Sequence, residues 1–342
     1  MRLATCAPAG AASRSWLAAV EGEDVIDLAG AAVALGADSG IGEPTSEFTT
    51  MVDFFASGPD GRRRAEDLVG AVLAAETAGR PLRSADGCAV KRPLTDVRLL
   101  APVPRPRRIR DYLTYRQHAT GAGVQVPPAF EAMPVCYQAN AETIIGPGEV
   151  IPWPAYTDQL DYELEIGFFV GRGGRDLSAK DAASHIAGIT LFNDVSARDI
   201  QLFEMSMTIG PSKGKDFCSV MGPVVLTMDE VGDEDAIELT ARVNGEVWSH
   251  GTTTNRQYSF AEVLAWASYG ENVYPGEFLA IGTVGGGCGL EIDRWVQPGD
   301  VVELEATGVG ILRNPIGQKQ RPPANAGLPS YRGAPWFATP HA

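Results

Sequence analysis

Histidine is scarce in this chain of 342 residues, occurring only at His118, His185, His250 and His341. That excludes an imidazole-rich metal site, and any histidine chemistry must come from one of four positions. Cysteine is almost as sparse. Cys6, Cys88, Cys136, Cys218 and Cys288 are odd in number, widely scattered and never in a C-x-x-C arrangement, so neither a disulfide framework nor a structural zinc site is indicated. Long apolar runs are missing too. No window approaches the roughly 18–20 consecutive apolar residues of a membrane span, and "MRLATCAPAG" at the N-terminus has no apolar signal-peptide core. A cytoplasmic protein with no membrane partner is expected. Basic residues are outnumbered, 28 Lys and Arg against 43 Asp and Glu, for a formal net charge of −15. Phosphate backbones require concentrated positive charge, so nucleic acid is excluded as a partner. Small molecules, metal cations and other proteins remain.

What is present is enough to build a sizeable core: 36.3 kDa with 44% hydrophobic residues suits one large domain and a smaller one. The first hundred residues alternate short strand-like runs with one amphipathic stretch, "RRAEDLVGAVLAAETAG", which predicts a helix from Arg63 to a glycine stop at Gly79. Pro102, Pro104 and Pro106 then forbid a central strand or helix. The boundary is drawn there, giving a small α+β domain over 1–104 and a larger domain over 105–342. Beyond it, short strands with turn signals dominate, including the Asn244-Gly245 hairpin dipeptide and the Pro298-Gly299 turn. Two helices interrupt them, with Ser178 followed by Asp181 and Ser259 followed by Glu262 as capping pairs. The fold class is strand-dominated α+β, without the βαβ alternation of a doubly wound sheet. The last stretch, from about residue 318, is rich in Pro, Gly and Ala and reads as an extended arm, with Trp336 and Phe337 as anchors.

The segment "DYELEIGFFVG" (161–171) poses the chemical question. The period of two in a strand sends Asp161, Glu163 and Glu165 to one face, with Cα atoms of the two glutamates roughly 6.5–7 Å apart. Unpaired, such carboxylates would raise each other's pKa, and a cation between them would resolve the conflict. In "RDYLTYRQHAT", His118 stands seven residues after Asp111, two helical turns, so a helix would project both from one face. In "LFNDVSARDIQ", Asp194 ends an apolar strand, and Arg198 and Gln201 share a face of the next helical turn. "GPSKGKDF" fails the Walker pattern because Asp216 follows Lys215, and "GTVGGGCGLEI" lacks the dinucleotide spacing. Its glycines imply close backbone approach to a ligand or a sharp turn, with Glu291 starting the next strand.

Together, and in this order, "RDYLTYRQHAT", "DYELEIGFFVG", "NDVSARDIQ", "GKDF" and "GTVGGGCGLEI" resemble the fumarylacetoacetate hydrolase superfamily over nearly the whole chain. The resemblance implies that family's mixed β-sandwich or β-roll catalytic domain behind a smaller N-terminal domain. It implies Asp111, Glu163, Glu165 and Asp194 as metal ligands, and an all-oxygen set suits Mg²⁺ by default, with Ca²⁺ or Mn²⁺ as alternatives. His118 and Glu291 become a water-activating dyad, Arg198, Gln201 and Lys215 the oxyanion donors, and Tyr137 and Thr283 substrate contacts. The implied reaction is hydrolysis of a C–C bond in a 1,3-dicarbonyl or 2-oxo acid by way of a metal-bound enolate. Decarboxylase, hydratase and tautomerase or isomerase activity on 2-oxo diacids share the same site, and a non-catalytic binding protein is the remaining alternative. Leu113 and Met205 stand where members specific for fumarylacetoacetate carry tyrosines, and no arginine follows His118 to grip a distal carboxylate. A more apolar substrate is expected, under a lid formed by Gly121 to Met133, in a homodimer as in other members.

Overall fold

The computed structural model describes residues 1–10, 14–39, 46–123 and 125–327. Trp336 and Phe337 lie outside them. Ten strands form the main path of one large sheet: β1 (Arg2–Pro8), β2 (Trp16–Glu21), β3 (Asp24–Asp27), β4 (Lys91–Pro93), β5 (Ile109–Tyr112), β6 (Cys136–Ala139), β7 (Leu164–Val170), β8 (Ile186–Asn193), β9 (Ser219–Thr227) and β10 (Phe278–Ala280). Their spatial order is β4-β3-β2-β1-β9-β8-β7-β10-β5-β6. All neighbours are antiparallel except β10 and β5. Leu3 of β1 pairs with Val225 of β9, so main-chain hydrogen bonding crosses the boundary drawn near residue 104. A second, five-stranded sheet runs Glu246–Thr252, Glu238–Val243, Val301–Ala306, Gly310–Lys319, Ile151–Trp153. Its first hairpin turns on Asn244 (φ 53°) and Gly245 (φ 82°), the left-handed pair that the Asn-Gly dipeptide supplies. The protein is thus a strand-dominated α+β fold with mixed sheets, as its composition of short strands and few helices implies.

Strand β7 is the structural centre, buried at all seven positions. Leu164, Ile166, Phe168 and Val170 enter the core shared with Leu239, Ala241 and Leu304 of the second sheet, and Phe168 packs on Phe260 with ring centres 5.4 Å apart. The opposite face carries Glu165, Gly167 and Phe169. Phe169 lies 4.9 Å from Phe278, and a Cβ on Gly167 would come within 2.3 Å of that Phe278 ring. Glycine is required there because β10 sits directly on β7. At roughly 1.5–3 kcal/mol for each large apolar side chain withdrawn from water, this packing holds the acidic end of β7 in place.

Sequence periodicity located the helices better than their ends. The helix expected from Arg63 spans Met51–Thr77, with Thr50 Oγ1 accepting from Asp53 N at 3.1 Å as its cap. Its extra turns precede a kink at Gly58 (φ 62°, ψ −150°), where Pro59 has no N–H to give. Ala65, Leu68, Val69, Val72 and Ala75 form the buried stripe. The Ser259 helix, Phe260–Ser268, has its full capping box. The Ser178 helix is shorter than expected: Ala179–Ala182 passes through a tight turn into β8, which claims the apolar "IAGI".

Candidate active site and metal centre

Strand ends and two short helices gather the polar residues around a cavity of about 250 Å³. Asp111 lies in β5, not on a helix with His118; the chain turns after Tyr112, and His118 sits in the helix Arg116–Gly121. Glu291 likewise lies on a helical turn, Gly289–Ile292, rather than at a strand start. Glycines permit the approach. A Cβ on Gly121 would stand 2.5 Å from Glu291 Oε2, and one on Gly282 (φ 89°) would stand 2.3 Å from the Tyr112 carbonyl oxygen. The second allows the chain after β10 to cross the end of β5 and place Thr283, whose Oγ1 donates to Glu165 Oε1 at 2.8 Å.

Asp111, Glu165 and Asp194 come together, each buried, with one carboxylate oxygen from each within 4.8 Å of the others. Burial pushes the carboxyls of Asp111 and Glu165 well above the usual range, reinforced for Asp111 by Glu165 and Asp194, and for Glu165 by Glu163 and Asp194. Asp194 is also raised by burial, tempered by Lys215. Tyr137 donates to Asp194 Oδ2 at 2.6 Å. Glu165 Oε2 and Asp194 Oδ1 are buried with no hydrogen-bond partner among the described residues. Oxygen-only donors, unspent lone pairs and mutual repulsion together fit a hard divalent cation.

Glu163 is placed differently. Its Oε2 takes Lys215 Nζ at 2.6 Å and its Oε1 faces an Arg198 terminal nitrogen at 2.8 Å. Burial acts against its ionised form, but Lys215 and Arg198 outweigh that and hold its carboxyl below the usual range. Lys215 also contacts Asp194. Despite their burial, Lys215 and Arg198 are kept firmly cationic by these carboxylates. The conflict posed by the neighbouring Glu163 and Glu165 is therefore half answered by the chain itself: Glu163 has two protein cations, while among the described residues none pairs with Glu165. Gln201 accepts from Arg198 through Oε1 at 2.9 Å. His118 Nδ1 lies 2.7 Å from Glu291 Oε1, and its Nε2 lies 3.6 Å from Glu163 Oε1. Gly286 N donates to Glu291 Oε2 at 2.8 Å, which makes the glycine-rich segment a backbone clamp on that carboxylate. Leu113, Val135, Leu202, Met205 and Leu290 supply the apolar wall. At the expected lid, Tyr258 donates to the Phe130 carbonyl at 2.9 Å, while Val124 lies outside the described residues.

Sequence reasoning left three groups without a role. Asp161, fully buried, accepts from Arg198 Nε at 2.8 Å, from Gly289 N at 2.7 Å and from Leu290 N at 3.0 Å. One carboxylate thereby orients the guanidinium and caps the turn that carries Glu291. The sequence puts it on one strand with Glu163 and Glu165, whereas it ends a separate short strand, Leu160–Asp161, that pairs with Ser196–Ala197. Glu204 accepts the backbone N–H groups of Ser212, Lys213 and Gly214 at 2.8, 2.9 and 2.9 Å, pinning the loop that delivers Lys215. Nothing in the local sequence signals that. Cys288 Sγ lies 3.4 Å from Glu291 Oε1.

Residues 107–317 match the model of the fumarylacetoacetate (FAA) hydrolase C-terminal domain. The chain is 31% identical over 226 residues to the human mitochondrial oxaloacetate tautomerase FAHD2A, covering 66% of this chain and 71% of the relative. It is also 31% identical over 228 residues to oxaloacetate tautomerase YisK of Bacillus subtilis (strain 168), covering 66% and 74%. Among solved structures, a fumarylacetoacetate hydrolase from Exiguobacterium antarcticum superposes with a TM-score of 0.66 at 24% identity, over 93% of this chain and 100% of that one. The maleylpyruvate hydrolase of Sphingobium sp. SYK-6, in complex with manganese(II) and pyruvate, also scores 0.66, at 22% identity over 94% and 100%. Those two show the shared fold. With the domain model spanning most of the chain and the curated relatives covered over two thirds of their length, this protein belongs to the fumarylacetoacetate hydrolase family.

Proposed function

We propose that the protein is a metal-dependent hydrolase that cleaves a C–C bond in a 1,3-dicarbonyl or 2-oxo acid. The observation that carries this reading is the 2.7 Å contact of His118 Nδ1 with Glu291 beside the Asp111, Glu165 and Asp194 carboxylates. A divalent cation held by those three carboxylates, with Glu163 alongside, would supply Lewis-acid withdrawal of charge from the substrate oxygens. Mg²⁺ is the proposed ion, with Mn²⁺ or Ca²⁺ as substitutes, because every candidate ligand is oxygen.

Glu291 accepts a hydrogen bond from His118 Nδ1–H and so leaves Nε2 as the basic nitrogen, turned toward the cavity. His118 takes a proton from water, the resulting hydroxide attacks the carbonyl carbon, and Glu291 stabilises the imidazolium formed. Arg198 and Lys215 donate to the tetrahedral oxyanion. Gln201 Oε1 is engaged by Arg198, so its amide N–H₂ is the end that can join them. When the C–C bond breaks, its electrons leave on the departing carbon as an enolate, and His118 returns the proton. One water and one dicarbonyl give a carboxylic acid and a ketone or 2-oxo acid.

The names of the relatives favour a second reading, tautomerisation of a 2-oxo diacid. The His118–Glu291 pair would then move a proton between carbon and oxygen and consume no water. Acylpyruvates, 3-oxo acids and oxaloacetate, incubated in H₂¹⁸O with Mg²⁺, Mn²⁺ or EDTA, separate the two. Label in a product carboxylate supports hydrolysis; enol–keto interconversion or CO₂ release without label overturns it. We place the activity in a cytoplasmic homodimer. Exposed Met207 and Ile209, 71% and 76% accessible beside the cavity residue Gly210, support a covered surface there, and the mass in solution tests it.

A further inference from the structure

Beside the carboxylate cluster lies a second group of donors with different chemistry. His118, Cys288 and Glu291 each offer one ligand atom, and these three atoms lie within 4.8 Å of one another. Nδ1 stands 2.7 Å and Sγ 3.4 Å from Glu291 Oε1. In a tetrahedral zinc site, with Zn–N and Zn–O bonds of about 2.0–2.1 Å and Zn–S of about 2.3 Å, ligand atoms stand roughly 3.3–3.6 Å apart. Side-chain shifts of under about an ångström would close the observed set to that geometry. The two clusters select oppositely: Asp111, Glu165 and Asp194 are oxygen alone, whereas imidazole and sulfur favour softer, later divalent ions.

We propose that His118, Cys288 and Glu291 form a second metal site, specific for a soft or borderline divalent cation such as Zn²⁺. Binding forms a Zn–S bond as the S–H bond breaks, and the thiol proton leaves to solvent. The imidazole proton moves from Nδ1 to Nε2, which faces Glu163 Oε1 at 3.6 Å. Nothing is oxidised or reduced. His118 lines the cavity whereas Cys288 and Glu291 are not among its lining residues, and the fourth position is left for water. An ion there holds both members of the proton-transfer pair, so Zn²⁺ would inhibit; that consequence rests on the hydrolase reading, whereas the binding does not.

Cobalt(II) is the probe, because its thiolate charge-transfer absorption reports a Co–S bond with no need of a substrate. The full chain, freed of metal by a chelator and carrying Cys88→Ser and Cys136→Ser to remove the exposed thiols, should develop that band with one equivalent of Co²⁺. Zn²⁺ should abolish it, a large excess of Mg²⁺ should not, and Glu165→Gln, which impairs the oxygen cluster, should retain it. Cys288→Ser should lose the band. His118→Gln should weaken Co²⁺ binding at least tenfold, which keeps the test open if the cysteine variant does not fold. No band at saturating Co²⁺, a band surviving Cys288→Ser, or displacement by Mg²⁺ would each overturn the proposal. Absence of turnover on every substrate tried would count against the hydrolase alone.

Discussion

Removing one negative charge from the carboxylate cluster should have opposite effects with and without metal. In metal-free protein, Asp111 faces Glu165 and Asp194 with oxygens within 4.8 Å, and no cation among the described residues pairs with Glu165. At an effective dielectric of about 20, each fully ionised pair at about 5 Å costs about 3 kcal/mol. Protonation relieves part of this, since burial and mutual repulsion have already pushed these carboxyls upward. Asp111→Asn should therefore stabilise the chelator-treated protein by about 1–3 kcal/mol, seen as a Tm a few degrees higher. With Mg²⁺ or Mn²⁺ at about a hundred times its Kd, the wild type should gain about 2.7 kcal/mol from binding to the folded state alone. The variant should lose most of that gain. Differential scanning fluorimetry of both proteins, in EDTA and across a metal titration, measures all four states. The reasoning is refuted if Asp111→Asn melts lower than wild type in EDTA, or if it keeps the full metal-dependent rise.

Lys215→Met should lower kcat by ~10²–10³ with a smaller effect on KM, as for loss of an oxyanion donor; steady-state kinetics on the substrate found by the label experiment would show it, and an effect confined to KM would contradict it. Asp161→Asn breaks a fully buried ion pair with Arg198 and should destabilise by about 3–5 kcal/mol, while Asp181→Asn, whose exposed carboxylate accepts from the Ser178 cap hydroxyl, should cost at most about 1 kcal/mol; urea unfolding compares them. Glu277→Gln should stabilise in a pH-dependent way. Burial raises the Glu277 carboxyl, with Arg108 and Arg110 only partly offsetting it, so the wild type keeps this contribution below its unfolded pKa and loses it as pH rises through the folded value. The variant should match wild type near pH 4 and melt higher toward pH 8; a difference that shrinks with rising pH would be the wrong sign.

Local pattern alone determined much of this protein. Alternation in "DYELEIGFFVG" set Glu165 opposite the buried anchor of Leu164, Ile166 and Phe168, although the chain breaks before it: Asp161 ends a separate short strand, Leu160–Asp161, and Glu163 precedes β7. Capping pairs located Ser178 and Ser259, and Asn244-Gly245 specified its hairpin, because these features depend on backbone geometry within a few residues. The ordered motifs that resemble the family pointed to its membership. What sequence could not supply was pairing between distant segments. Asp111 and His118 look like helix neighbours at a spacing of seven, yet the pairing of β5 with β10 and β6 makes one a strand residue and the other a helical one. Glu291 was read onto a strand, but Asp161, 130 positions earlier, caps the turn that holds it. The division of charge was also decided only in three dimensions. Lys215 and Arg198 could have neutralised any of the clustered acids; the fold directs Arg198 to Glu163 and Asp161 and shares Lys215 between Glu163 and Asp194, because Glu204 pins the loop of one and Asp161 grips the other. Among the described residues, Glu165 and Asp111 are left without an ion-pair partner, since electrostatic energy depends on distance through space, which a linear chain does not encode locally.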